Sequence, residues 1–488
     1  MPGLTRGKES AMAWSTKRHT HRRGSAALAA LLLIGLATPA AAGTLAERVF
    51  ETTLANGLKV LILEEPKAPV ASAQVWYKVG ARNEPAGKTG LAHMMEHMMF
   101  KGTPTVSGKE YEARIQRHGG MNNAHTGMDV TAYYVDFAAE RIGLGLELEA
   151  DRMAHLSIAE QDFQTERAVV AEERRLRVDD QPAQILGEVL RATAFLAHPY
   201  GRPTIGWSSD IQGWTRDDVA AFYRTYYAPN NATLVVAGAV KRDELLPRIR
   251  ALFERIPRQP APPPVVTREP PQQGERRVLV RKEAELPLLL VAYHAPNITH
   301  PDSYALSALA IILGGGESAR LHRQVVYETP LASYAVAGYN PAHPDPFLFG
   351  LSAGPLPGKT AEEVERALDT EVERIQREGV TERELMKAKN QMESEFIFSQ
   401  DSVHGLASLL GHYETVASWR LLDSFLDGVR TVTADDVLRV ARTYLVPDNR
   451  TVGVLVPVTP QREKVPAAPA RPDVRGEPTE LPVKGGCQ

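Results

Sequence analysis

The chain has 488 residues, a formal net charge of −3 and a hydrophobic fraction of 43%. This ordinary composition and small charge argue against a nucleic-acid-binding protein, and the length predicts two or more domains. The single cysteine, Cys487, excludes disulfides within the chain and excludes a cysteine zinc site, so any metal must be held by histidine and carboxylate side chains.

The N-terminal segment has the order of a secretory signal peptide. Basic residues precede an apolar run at 26–37, and Ala40-Ala41-Ala42 follows as a cleavage site, whether translation starts at Met1 or Met12. The alternative is a membrane anchor, but an apolar run of about a dozen residues is too short to span a bilayer. We therefore expect residues 1–42 to be removed on export, which leaves a periplasmic or secreted protein without stable membrane insertion.

Helical and β-type patterns then follow one another without a strict β-α-β rhythm, which predicts an α+β fold built in layers. The turn Ala55-Asn56-Gly57 joins the first two predicted strands in a hairpin. The predicted strands lie at 49–53, 58–63, 70–79, 121–137 and 233–237. The predicted helices lie at 90–102, 107–117, 138–155, 159–181, 183–196 and 215–227, the last being the final helix expected in this half.

The second half of the chain repeats the first. Thr215-Arg-Asp-Asp-Val219 corresponds to Thr433-Ala-Asp-Asp-Val437, and segment 224–233 corresponds to 442–451, both at an offset of 218 residues. Two matches in one register predict two homologous domains. The predicted organisation is a catalytic domain at 47–256, a proline-rich linker at 257–275, a second domain without metal ligands at 276–458, and a disordered tail at 459–488.

The segment 90–102 carries the main chemical signal, His93-x-x-Glu96-His97. On a helix, His93 and His97 lie one turn apart on the same face and can hold one Zn²⁺, while Glu96 beside them can take a proton from water. The alternative is a core helix whose His and Glu side chains bond to neighbouring backbone. Three ionisable groups on a helix that is otherwise apolar are costly to bury, and a metal ion accounts for them better.

A third ligand is expected in the charged run at 164–177. Glu166 and Glu173 lie two helical turns apart and therefore share a face. Glu172 precedes Glu173, and spacing alone does not choose between these two. The alternative for the whole run is an exposed helix with Glu–Arg pairs.

Three motifs together resemble the pitrilysin/insulinase family of zinc metallopeptidases, the inverzincins, over about residues 50–456. They are the 90–103 segment, Glu166-Arg-x-Val-Val-x-Glu-Glu173, and Gly120-Met-Asn-Asn-Ala-His-Thr126. In particular, the chain resembles the half-length bacterial members akin to mitochondrial processing peptidase. It implies the metalloenzyme fold typical of LuxS and processing peptidases. It also implies Glu173 as the third ligand, Glu166 as a carboxylate that assists catalysis, and Asn123 and Ala124 as the strand edge that pairs with the substrate.

The chain departs from this family at one position. The family brings an Arg and a Tyr from the second half into the site, and Tyr334 matches the Tyr as a catalytic residue. Tyr327 stands where the Arg is expected. Arg320 and Arg323 are out of register, and we expect them to pair elsewhere.

The predicted function is that of an exported endopeptidase with one Zn²⁺ per chain, which hydrolyses extended peptides or unfolded segments through a metal-activated water and Glu96. The alternative is a non-catalytic or weakly active subunit of a peptidase-like heterodimer. Because half-length relatives form dimers, the resemblance implies a homodimer or heterodimer. The missing Arg favours a heterodimer whose other subunit supplies it.

Overall fold

The computed structural model describes residues 44–458, so the predicted signal peptide, the C-terminal tail and Cys487 lie outside the described residues. Within this range the chain forms eleven strands and fifteen α-helices. The strands are β1 (Val49–Thr53), β2 (Lys59–Glu64), β3 (Val70–Tyr77), β4 (Met121–Thr126), β5 (Thr131–Ala138), β6 (Ala232–Gly238), β7 (Arg276–Glu283), β8 (Leu288–Ala295), β9 (Ala332–Tyr339), β10 (Phe347–Pro355) and β11 (Arg450–Val458).

The helices surround two sheets. They are α1 (Leu45–Arg48), α2 (Leu91–Met98), α3 (Gly108–Arg117), α4 (Ile142–His155), α5 (Glu160–Arg174), α6 (Pro182–Ala194), α7 (Ser208–Gly213), α8 (Arg216–Tyr226), α9 (Arg242–Phe253), α10 (Asp302–Gly314), α11 (Ala361–Glu378), α12 (Glu382–Phe398), α13 (Val403–Val416), α14 (Leu421–Thr431) and α15 (Ala434–Tyr444). No helix in the described part of the chain combines the length and the apolarity needed to cross a membrane.

The first sheet has the strand order β1-β2-β6-β3-β5-β4. Strands β2 and β6 are parallel, and the other neighbours are antiparallel. The predicted β1–β2 hairpin is present, with Gly57 in the left-handed region at φ 93°. The run at 121–137, predicted as one alternating β segment, forms two strands because the chain turns back at 127–130. Strand β4 is thereby left at the edge of the sheet.

The second sheet has the order β7-β11-β8-β10-β9, which reproduces β2-β6-β3-β5-β4 of the first sheet, including its one parallel pair. The matched sequence motifs take matched structures. Thr215 and Thr433 are the N-caps of α8 and α15, and each side chain accepts a hydrogen bond from the backbone N–H three residues on. The predicted α+β fold with two related halves is confirmed.

Each half also packs a helix on the sheet of the other half. Helix α6 packs on β7, β8 and β11, whereas α13 of the second half packs on β3 and β6. Residues 257–275, predicted as a linker, contain no helix or strand. They are nevertheless held in place, because the Glu269 carboxylate accepts hydrogen bonds from the backbone N–H groups of residues 196–198.

Two differences from the predicted helices matter most for the fold and the site. The last helix of the first half is α9, not the helix at 215–227, because burial of Leu245, Ile249 and Phe253 overcomes the unfavourable Pro247 inside it. The helix predicted at 159–181 is α-helical only to Arg174, and a π-helical turn follows at Arg175–Asp179. This turn begins two residues after Glu173, the predicted third metal ligand.

Candidate metal centre

Helix α2 is packed into the hydrophobic core on most of its surface. It begins after Gly90, whose φ of 88° suits glycine and whose position leaves no room for a Cβ beside Ile205 and Trp214. The buried Glu84 carboxylate accepts hydrogen bonds of 2.7 Å from the N–H groups of Gly90 and Ala92. Such a carboxylate satisfies N–H groups that the first turn of a helix leaves free.

The three predicted site residues of α2 occupy its one face that is not fully buried. Leu91, Ala92, Met94, Met95 and Met98 are all buried in the core. His93, Glu96 and His97 are partly exposed and line a cavity of about 1040 Å³. The packing of the apolar residues therefore fixes the direction in which the two imidazoles and the carboxylate point.

Helix α5 supplies the third candidate ligand. Glu173 Oε2 lies 3.6 Å from His93 Nε2 and 3.3 Å from His97 Nε2. Glu172 is more exposed and forms an ion pair with Arg175 at 2.6 Å. The structure thus brings Glu173, and not Glu172, to the histidine pair.

These three side chains fit a zinc ion. Within residues 44–458, they are the single group of three His, Cys or acidic residues whose ligand atoms all lie within 4.8 Å of one another. Ligands about 2.1 Å from a tetrahedral zinc ion are separated by about 3.4 Å, close to both distances from Glu173. Two histidines and one carboxylate are also a donor set that catalytic zinc uses, with a fourth position left open.

Burial and hydrogen bonds shift the pKa values of the site residues in different directions. Burial and the neighbouring His97 lower the pKa of His93 to about 4, so its imidazole is neutral at pH 7. Burial also acts to lower the pKa of His97, but hydrogen bonds to Glu173 and Glu166 outweigh it and raise that pKa. The hydrogen bond with His97 lowers the pKa of Glu173, whereas burial raises the pKa of Glu96. The two carboxylates therefore differ as a ligand and a proton acceptor should.

Glu166 lies behind the ligands and does not line the cavity. Its Oε2 is 3.0 Å from His97 Nδ1, and its Oε1 pairs with Lys101. When Nδ1–H donates to Glu166, His97 Nε2 carries the free lone pair and faces Glu173. A metal-ligating histidine commonly donates its second nitrogen in this way. Glu166 is therefore placed to orient His97.

Two cations that the sequence analysis did not single out pair with carboxylates of the site. Lys101 follows His97 by four residues and pairs with Glu166. Arg177 follows Glu173 by four residues, and its Nη1 lies 2.7 Å from Glu173 Oε1. The i, i+4 spacing to a predicted ligand was the available signal. Both cations neutralise carboxylates that surround the histidine pair.

The predicted substrate-binding residues lie on the wall of the same cavity. Asn123 and Ala124 belong to β4, which is an edge strand of the first sheet. Exposed apolar side chains of α5 and the following turn, Val169 and Leu176, line the cavity as well. The site thus combines candidate metal ligands, a free strand edge and an apolar wall.

Tyr334 does not line this cavity, and its catalytic role stays a prediction. It belongs to β9 of the second sheet, where its hydroxyl is 3.4 Å from Ser352 Oγ. Strand β9 is an edge strand of the second sheet, as β4 is of the first. Tyr327 is 80% exposed. As expected, Arg320 and Arg323 pair elsewhere, with Glu384 and Glu328.

Comparison with known proteins gives a consistent assignment. The family described as Insulinase (Peptidase family M16) matches residues 59–207, and the Peptidase M16 inactive domain matches residues 213–392. The chain is 33% identical over 434 residues to the zinc protease PqqE of Helicobacter pylori, which covers 88% of this chain and 98% of that protein. It is 32% identical over 401 residues to an uncharacterized zinc protease of Mycobacterium leprae, covering 81% of this chain and 89% of that protein.

A solved structure agrees with these matches. The crystal structure of a protease from Helicobacter pylori superposes with a TM-score of 0.81 at 33% identity, covering 84% of this chain and 99% of that chain. The metal-binding motif lies within the segment matched by the insulinase description, and the repeat that lacks it lies largely in the segment matched by the inactive domain. This chain belongs to the insulinase family, peptidase family M16.

Proposed function

We propose that this protein is an exported zinc-dependent endopeptidase that binds one Zn²⁺ per chain and cleaves peptides or unfolded segments. The observation that carries the proposal is the convergence of His93 Nε2, His97 Nε2 and Glu173 Oε2, with Glu96 beside them in the cavity that β4 borders. The names of the related zinc proteases support the same chemistry.

Each residue has a role that follows from its position. Zinc held by His93, His97 and Glu173 would supply a Lewis acid that activates water and polarises the scissile carbonyl. Glu96 accepts the proton of the attacking water and passes it to the leaving amine. Burial raises the pKa of Glu96, which brings its protonated form closer to working pH and helps the second transfer. Glu166 keeps His97 in its binding orientation.

The free edge of β4 supports an extended substrate. A peptide that pairs with Asn123 and Ala124 would add a strand to the first sheet, so its backbone would be bound more than its side chains. A folded protein offers few segments that can adopt this conformation at a foreign sheet edge. Peptides and unfolded segments are therefore the substrates we propose.

The Glu96→Gln variant tests the assignment directly. It should bind as much zinc as the wild type but lose about 10²–10⁴-fold in the rate of peptide cleavage, since the proton acceptor is gone. Glu172→Gln is the matched control. Glu172 is also an acidic residue near the site, but its carboxylate pairs with Arg175 and not with the histidines. A near-wild-type rate for Glu96→Gln would refute the mechanism.

A second candidate function rests on Tyr334 and Tyr327. Because Tyr334 lies outside the cavity and Tyr327 stands where the family carries Arg, this chain could be a weakly active or non-catalytic subunit. We propose a dimer in which a related subunit completes the site, with a heterodimer favoured over a homodimer. The protein alone would then bind zinc but cleave poorly until that subunit is added. Full activity from a monomer in sedimentation would refute a required dimer.

Export is the remaining part of the proposal. It rests on the basic, apolar and Ala-x-Ala order of residues 17–42. We expect the protein from a periplasmic or secreted fraction to begin at or near Gly43. N-terminal sequencing checks this, and a retained 22–36 segment would contradict it.

A further inference from the structure

A second cavity continues from the metal centre. It has a volume of about 800 Å³, and His93, Thr126 and Glu173 line it as they line the first cavity. Its opposite wall is the face of α6 that carries Gln184, Glu188 and Arg191. A peptide bound at β4 therefore has room to extend from the metal centre along α6.

Arg191 has an unusual environment in this wall. Its Nε atom is buried and makes no hydrogen bond, and its guanidinium forms no ion pair within the described residues 44–458. The only acidic side chain one turn away on α6, Glu188, is already engaged, since its two oxygens accept hydrogen bonds of 3.0 Å from Arg174. The other arginine of the cavity, Arg177, is paired with Glu173.

The cation is thus placed in a partly buried wall without an anion of its own. Burial lowers the pKa of Arg191, although the negative charge of Glu188 acts in the opposite direction. An unpaired charge at a partly buried position is unfavourable. The buried apolar residues of α6 are Leu186, Leu190 and Ala194. An anion that arrives with a ligand would remove the penalty.

We propose that this cavity is a substrate subsite in which Arg191 binds a carboxylate of the peptide. The inference rests on the proposed peptidase function and adds a preference to it. A guanidinium binds a carboxylate through two parallel hydrogen bonds, and Gln184 on the same face of α6 offers a further amide donor. The carboxylate comes either from an Asp or Glu side chain near the scissile bond or from the peptide C-terminus.

Binding to the zinc-loaded Glu96→Gln protein tests the subsite without cleavage. The probes are short fluorescein-labelled alanine–serine peptides in which one Glu, or one Gln, is moved position by position, each with a free or an amidated C-terminus. We expect the Glu peptide to bind about tenfold more tightly than the Gln peptide at one position. If the C-terminal carboxylate is the ligand, amidation should weaken binding about tenfold and the Glu position should have no effect.

Variants then assign the preference to Arg191. In the Glu96→Gln background, Arg191→Gln should reduce the ratio of the two affinities to about one, and Arg191→Lys should retain part of it because the charge remains. The matched control is Arg250→Gln on the exposed surface of α9, which removes the same charge outside both cavities and should leave the ratio unchanged.

The outcomes separate the two proposals. Equal binding of all probes, no binding of any probe, or an unchanged preference in Arg191→Gln would overturn the subsite. A preference that depends on Arg191, found together with a wild-type protein that cleaves none of the peptides, would support the subsite and refute endopeptidase activity of this chain without a second subunit. Cleavage of the peptides without any carboxylate preference would support the endopeptidase and refute the subsite.

Discussion

Exchange of Glu173 for Gln probes the metal centre with the smallest change in shape. The side chain keeps its length, but the carboxylate oxygen that lies 3.3 Å from His97 Nε2 and 3.6 Å from His93 Nε2 loses its charge. Arg177, which is paired with the other oxygen, loses its anionic partner as well. Only two histidines then remain as strong ligands in a site that suits three.

The expected loss of zinc affinity is large. A four-ligand zinc site binds with about 10–16 kcal/mol, which corresponds to roughly 2.5–4 kcal/mol for each ligand. One lost ligand should therefore weaken binding by about 10²–10³-fold. Glu172→Gln makes the same chemical change one residue earlier, at a side chain that is paired with Arg175, and should leave the affinity near that of the wild type.

Zinc content after dialysis against a mild chelator, together with the unfolding temperature with and without added zinc, measures this effect. Zinc should stabilise the wild type and Glu172→Gln, because a ligand that binds the folded state raises its stability, and should stabilise Glu173→Gln much less. Full zinc content in Glu173→Gln with loss in Glu172→Gln would show that the orientation of α5 is wrong. Full content in both variants would mean that the histidine pair uses another ligand.

Three further predictions address the support of the site and the fold. Glu166→Gln should keep the metal but lower the cleavage rate by about 10–100-fold, because a ligand histidine loses its orienting carboxylate; an unchanged rate would contradict this. Burial alone would raise the pKa of Glu384, but hydrogen bonds from an arginine and from the start of α12 lower it to about 2. Because this pKa is lower in the folded than in the unfolded chain, the ionised carboxylate stabilises the fold at pH values above the unfolded-state pKa. Glu384→Gln should therefore lower the free energy of unfolding by roughly 1–2 kcal/mol at pH 7. In urea titrations the difference should shrink from about pH 5 towards pH 2; a difference independent of pH would refute the cause. Gly411→Ala on α13 would push a Cβ into the Trp76 ring, and should destabilise the protein by about 1–3 kcal/mol in the same titrations. Gly213→Ala, whose Cβ would meet nothing within 4 Å, is the control, and equal effects would contradict the packing argument.

The sequence by itself determined the features that depend on short-range spacing. His93, Glu96 and His97 share one helical face because they lie within about one turn, so no tertiary information was needed to group them. The turn at Gly57 is local in the same sense. The duplication was also evident from the sequence, since segments 215–219 and 224–233 recur at 433–437 and 442–451 with the same offset.

Only the tertiary structure decided which acidic residue joins the histidines. Adjacent helical residues point about 100° apart, so the choice between Glu172 and Glu173 depends on the rotation of α5 against α2. Burial of Phe163, Glu166 and Val170 sets that rotation, and it turns Glu173 towards the histidines. From the residues alone both candidates were equivalent, and the family resemblance was needed to prefer one.

The placement of the second half was likewise a tertiary outcome. The exchange of α6 and α13 between the two sheets depends on contacts between residues far apart in the chain, such as Gly411 beneath Trp76. Docking of α6 on the second sheet also places Arg191 in the wall of a cavity that begins at the metal centre. Tyr334 lies on β9, an edge strand of that second sheet. Helical periodicity places a side chain on a face, but only the packing of that face against other elements decides what the side chain meets.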